Sequence, residues 1–159
     1  MKRLTEQDMR MQLAKAGLEL IKKWIDGRLY HVRISRLISA WDSDIASFKS
    51  LKELNEWFDE RFKDKETMIS WIDKTDIDED EIRKIQRKTS VSEDEVIKRM
   101  KMLKKAIVRE IGIFPFGTYT TWSEGRLILV MIPGYAPSVI KKCLQEVGIS
   151  EWFDEVITI

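Results

Sequence analysis

Residues 82–112, IRKIQRKTSVSEDEVIKRMKMLKKAIVREIG, admit few structures other than a helix, a tight turn and a second helix. Ser92-Glu93-Asp94-Glu95 has the S-x-x-E form of a capping box: the Ser92 hydroxyl can accept from the Glu95 N–H, and the Glu95 carboxylate can reach back to the Ser92 N–H. A helix is therefore predicted to start at Glu93. On it Val96, Met100, Leu103 and Ile107 recur at helical spacing and form one buried stripe, while Lys98, Lys101 and Lys105 repeat on another face. A short helix, a turn and a cation-bearing helix is the layout of a helix-turn-helix.

Charge is distributed unevenly around this segment. Residues 64–82 carry eight acids against two lysines, a net −6, whereas residues 83–112 carry ten bases against four acids, a net +6. The whole chain sums to only +1. A polyanion would be steered by the local field of the basic stretch, not by net charge.

With 159 residues, 43% hydrophobic and 35% charged, the chain can bury a core as one compact domain or two small ones. The tryptophans are spread from Trp24 to Trp152 and read as core anchors, with a stacking platform for bases as the alternative. Cys143 has no partner for a disulfide, and His31 has no neighbour at ligand spacing, so no metal, cofactor or nucleophile–base set is visible and no enzymatic activity is predicted. Asp76, Asp78 and Asp80 alternate like the start of a calcium loop, but Glu81 stands where glycine is needed and Arg87 where glutamate is needed. No apolar run approaches the roughly 18 residues of a membrane span, which leads to the expectation of a cytoplasmic protein. Abundant Lys, Glu, Arg and Ile with few Gly and Pro gives a thermophile-like composition.

The other elements follow from similar signals. Thr5-Glu6-Gln7-Asp8 resembles an N-terminal cap, and Met9, Leu13, Ala16, Leu20 and Trp24 share a helical stripe up to Gly27, which predicts one long helix from Thr5 to Ile25. Leu29–Trp41 suits either a strand or a helix, and the helix is preferred. Ser50-Leu51-Lys52-Glu53 caps a further helix bearing Leu54, Trp57, Phe58 and Phe62. Beyond Gly112, Ser123-Glu124-Gly125 predicts a β-hairpin of Thr118–Trp122 with Arg126–Ile132. A helix over Ala136–Val147, stopped by Gly148, and a last strand over Trp152–Ile159 follow. The predicted fold class is mainly α with a small C-terminal β part, α+β. Residues 1–60 form a helical N-terminal region, 61–132 a winged helix-turn-helix core with a hairpin wing, and 133–159 a short α-β tail.

Asp64, Met68, Ile69 and Ile72, then Asp76-Ile77-Asp78, Glu81-Ile82, Thr89-Ser90-Val91-Ser92, Val96, Arg99, Met100 and Leu103 fall in the pattern of one known family. Over residues 62–112 the chain resembles the winged helix-turn-helix domain of the Lrp/AsnC transcriptional regulators. The following LILVMIPGYAPSVIKKCLQEVGISEWFDEVITI resembles the first half of that family's second domain, including Pro133-Gly134. The resemblance implies binding of double-stranded DNA and transcriptional regulation. The family's turn glycine is Ser90 here, and Glu93, Asp94 and Glu95 crowd the start of the second helix, where carboxylates repel phosphates but can still accept from cytosine N4.

The nucleic-acid contacts expected are Arg83, Arg87 and Lys88 on the supporting helix, Lys98, Arg99, Lys101 and Lys105 on the second helix, and Thr120, Thr121 and Arg126 on the wing. Arg99 has the alternative of pairing with a carboxylate of its own chain. The predicted Thr5–Ile25 helix offers an apolar face wide enough for a homodimer, as a two-fold operator would require. The rival expectation is a protein-interaction or scaffold subunit of a nucleoprotein assembly, in which the winged helix is a docking surface.

Overall fold

The structure is a computed structural model and describes residues 4–34, 44–115, 118–131 and 135–159. Among these lie six α-helices and two three-stranded sheets, an α+β content. The chain divides into two compact units, Met1–Lys63 and Asp64–Ile159. Among the described residues no helix is long and apolar enough to cross a membrane.

The first unit runs α1 (Glu6–Lys15), β1 (Leu18–Ile25), β2 (Arg28–Ile34), β3 (Asp44–Phe48) and α2 (Leu51–Phe62), with an antiparallel sheet ordered β1-β2-β3. The expected all-helical region is thus corrected. The Thr5 box is present, but α1 lasts only ten residues and Gly17 turns the chain at φ 76°. Leu18–Ile25 then becomes a strand because Asp26 (φ 51°) and Gly27 (φ 75°) both adopt the left-handed conformation of a type I′ hairpin turn. Asp-Gly is the sequence signature of that turn, and it outweighs the helical stripe through Leu20 and Trp24. The helix preferred over Leu29–Trp41 is likewise a strand through Ile34, and residues 35–43 lie outside the described ones.

Register places Leu20 opposite Val32 and Tyr30 opposite Phe48, so these residues share one sheet face. Both helices lie over that face. Phe48 meets Trp57 of α2 with ring centroids 5.4 Å apart, and Lys22 pairs with Glu6 of α1 at 3.1 Å. Met9, Leu13, Leu18, Leu20, Val32 and Leu54 are buried. Asn55, also buried, is fully used: its Oδ1 accepts from the Leu4 N–H at 2.7 Å and its Nδ2 donates to the Leu4 and Leu51 carbonyls. The apolar side chains offered above as a dimer face are therefore divided between a short helix and a strand: Met9, Leu13 and Leu20 are buried, whereas Trp24 is exposed.

The second unit runs α3 (Lys65–Lys74), α4 (Glu79–Thr89), α5 (Glu93–Ile111), β4 (Tyr119–Ser123), β5 (Arg126–Met131), α6 (Pro137–Val147) and β6 (Glu155–Thr158). Its sheet is ordered β4-β5-β6; β4 and β5 form an antiparallel hairpin, and β6 lies parallel to β5 after the α6 crossover. Glu124 (φ 51°) and Gly125 (φ 77°) make a second I′-type turn. The short α-β tail packs on the helices of this unit: Ile140, Cys143, Leu144, Val147 and Phe153 share one buried cluster with Ile82, Val96, Met100, Leu103, Leu127 and Leu129. Pro133-Gly134 lies outside the described residues.

Candidate nucleic-acid interface

The turn between α4 and α5 is three residues long. Ser90 closes α4 at φ 61°, its N–H donating to the Gln86 carbonyl at 2.8 Å, and Ser92 opens α5 by accepting from the Glu95 N–H at 3.3 Å. The other arm of the expected box is diverted, because the Glu95 carboxylate accepts from Arg99 Nε at 2.8 Å instead. That contact holds Glu95 below the usual carboxylate range, through the Arg99 hydrogen bond and charge. Val96, Met100 and Leu103 are buried as the stripe predicts.

The cations expected on α5 have different fates. Lys98 is exposed and, among the described residues, makes no hydrogen bond or ion pair. Arg99 is held by Glu95 and donates from Nη1 to the Val147 carbonyl at 2.8 Å, tying α5 to the end of α6. Lys101 donates to the Asp73 carbonyl at 3.1 Å, and Lys105 pairs with the Asp73 carboxylate, so both turn toward the end of α3. Lys104 turns inward near Glu81; burial lowers the lysine pKa and raises that of the glutamate. The even lysine spacing on α5 thus describes a helix packed against α3 on one flank and α6 on the other, not an open basic face.

Cations on α4 and the hairpin remain nearer solvent. Arg83 is exposed and pairs with Glu79 one turn earlier. Arg87 lies over the Trp122 ring at 5.3 Å from its centroid, which positions the guanidinium beside β4. Lys88 pairs with Asp154 at 2.5 Å, and Arg126 pairs with Glu155 at 3.2 Å. Thr121, half-buried, sits opposite Ile128 in the ladder.

Thr120 is a correction. Its side chain is buried, and its peptide groups are bracketed by α4: the N–H donates to Glu81 Oε1 at 2.7 Å, and the carbonyl accepts from Lys84 Nζ at 3.0 Å. Because β4 is an edge strand, these side chains satisfy groups that would otherwise invite another strand. Thr120 locks the hairpin to α4 and presents nothing to a phosphate.

His31 was missed as a structural centre because its partner is thirteen residues away. Buried in the first unit, it directs Nδ1 at Asp44 Oδ2 (2.7 Å) and Nε2 at the carbonyls of Arg28 (2.8 Å) and Lys23 (3.0 Å). Among the described residues no group of three or more His, Cys, Asp or Glu could hold a metal ion. Cys143 is buried, which pushes its thiol pKa up. A depression of about 230 Å³ over α2 and another of about 260 Å³ beside β6 contain neither histidine nor cysteine.

No family model, curated protein or solved structure matches the chain.

Proposed function

We propose that the second unit is a winged helix-turn-helix that binds double-stranded DNA, acting as a regulator by binding and without bond chemistry. The observation that carries this reading is the three-residue α4–α5 turn followed by a hairpin fastened to α4 through Glu81, Lys84 and Thr120. The contact set supporting it is narrower than the basic stripe implied: Arg83, Arg87, Lys88, Lys98 and Arg126. The ion pairs of Arg83, Lys88 and Arg126 are exposed or half-exposed, and such pairs contribute only about 0–1 kcal/mol each, so a phosphate can replace the carboxylate.

A protein-docking role is the second reading. It is favoured by Glu93 and Asp94, which are exposed at the start of α5 where a recognition helix normally meets DNA. Titration of the whole chain with random duplex DNA across a salt series separates the two. DNA binding gives a log–log slope of about −4.5, from about 0.9 for each of the five phosphate contacts, and Arg87→Ala or Lys98→Ala each removes about one unit of it. Lys105→Ala leaves the slope unchanged, because that ammonium is turned to the end of α3, where it pairs with Asp73. Absence of binding at low salt rejects the DNA reading in favour of docking.

A further inference from the structure

The β1–β2 hairpin carries the most exposed large hydrophobic side chain described, Trp24, at 65% of full exposure. Burial would be the ordinary fate of an indole in a core this small. Two local devices keep it outside. The I′ turn at Asp26-Gly27 holds the strands close, and the ladder shifts register between Lys22 and Ile25, a bulge that re-aims the intervening side chains.

The surroundings of Trp24 are cationic. Residues 22–28, KKWIDGR, hold three bases and one acid. Lys22 turns to Glu6 and the Tyr30 ring, whereas Lys23 and Arg28 are exposed on either side of the turn. Their backbones are fixed from below, since His31 Nε2 faces the carbonyls of these same two residues. The Arg28 guanidinium reaches β3 only through exposed contacts of 3.3 and 3.1 Å to the Ser47 carbonyl and hydroxyl.

We propose that this hairpin tip binds a single strand of nucleic acid, with a base stacked on Trp24 and neighbouring phosphates on Lys23 and Arg28. An exposed indole on the same hairpin tip as two exposed cations matches the two requirements of strand binding, a π-face for the base and positive charge for the backbone. Duplex DNA is a poor occupant because its base faces are already covered by stacking. A second copy of the chain is also poor, because two such tips would bring like charges together. The inference is separate from the duplex reading of the second unit and uses none of its residues.

Fluorescence anisotropy of the full chain with labelled oligothymidylate tests it, with labelled oligouridylate and a duplex in parallel. Trp24→Ala should weaken strand binding by about fivefold to a hundredfold without changing the salt slope, while Trp24→Phe retains most of the affinity. Lys23→Ala and Arg28→Ala should each reduce the slope by about 0.7, and Arg28→Lys should restore it. Unchanged strand affinity in Trp24→Ala overturns the proposal, and if Arg87→Ala still weakens duplex binding, the reading of the second unit survives. Loss of strand binding in the hairpin variants without any duplex binding supports the proposal and removes the other reading. Failure to bind strand or duplex overturns both.

Discussion

His31 and Asp44 join β2 to β3 through a 2.7 Å contact between Nδ1 and Oδ2, while both carbonyls facing His31 Nε2 can only accept. A neutral ring cannot donate from both nitrogens, so the geometry calls for the imidazolium. Arg33 Nε, 2.6 Å from the other Asp44 oxygen, keeps that carboxylate charged.

A pH dependence follows. Burial opposes charging of His31, but the Asp44 hydrogen bond and the Arg28 and Lys23 carbonyls outweigh it, so its pKa is raised. Its stabilising contribution is complete below the ordinary histidine value of about 6.5 and is lost as pH rises through the higher folded value. For Asp44, burial is outweighed by Arg33 and His31 and the pKa is lowered; its contribution is present above about 3.9 and is lost as pH falls through the lower folded value. The first unit should be most stable between about pH 4 and 6.5. His31 is the only histidine, so its ring nitrogen signals report it alone, and titration at or below 6.5 would contradict the imidazolium.

Ser90→Gly should stabilise the second unit by about 1 kcal/mol. Ser90 sits at φ 61°, where a Cβ atom costs roughly 1–2 kcal/mol, and the greater freedom of glycine in the unfolded chain returns part of the gain. Denaturant melts read this directly; a lower midpoint with unchanged slope would mean that the serine is not strained.

Arg99 should behave as a fastener. Arg99→Ala removes the donor to the Val147 carbonyl and should cost about 1–2 kcal/mol while leaving the DNA salt slope unaltered. A fall of about one unit in that slope, with stability intact, would return Arg99 to the phosphate contacts.

What could be read from the chain depended on how local its cause was. Ser50, Ser92, Gly112 and Gly148 act on their own helix ends, and the structure puts helix boundaries at each. Two hairpins share the same turn geometry, yet only Ser123-Glu124-Gly125 was recognised, because Thr, Tyr, Ile and Val flank it. The Leu18–Ile25 strand also satisfies a helical period, and that coincidence hid Asp26-Gly27. The stripe Lys98, Lys101 and Lys105 is visible in the sequence, but Asp73, which engages Lys101 and Lys105, lies on another helix. His31–Asp44 and Arg99–Val147 are likewise long-range, and spacing carries no signal for them.

The final prediction concerns the clamp between α4 and the hairpin. Thr120→Val should leave nucleic-acid affinity unchanged, since the side chain is buried and the peptide groups that meet Glu81 and Lys84 are retained. Glu81→Ala leaves the Thr120 N–H unpaired at a sheet edge and should cost about 1–3 kcal/mol. Removing the carboxylate also takes away the charge facing Lys104, so the loss should lie toward the upper end of that range. The exposed edge of β4 then becomes a template for another strand, and the variant should self-associate at concentrations where the parent does not. Sedimentation of the two proteins side by side reads this, and a Glu81→Ala variant matching the parent in melting midpoint and in size would show that α4 does not hold the hairpin.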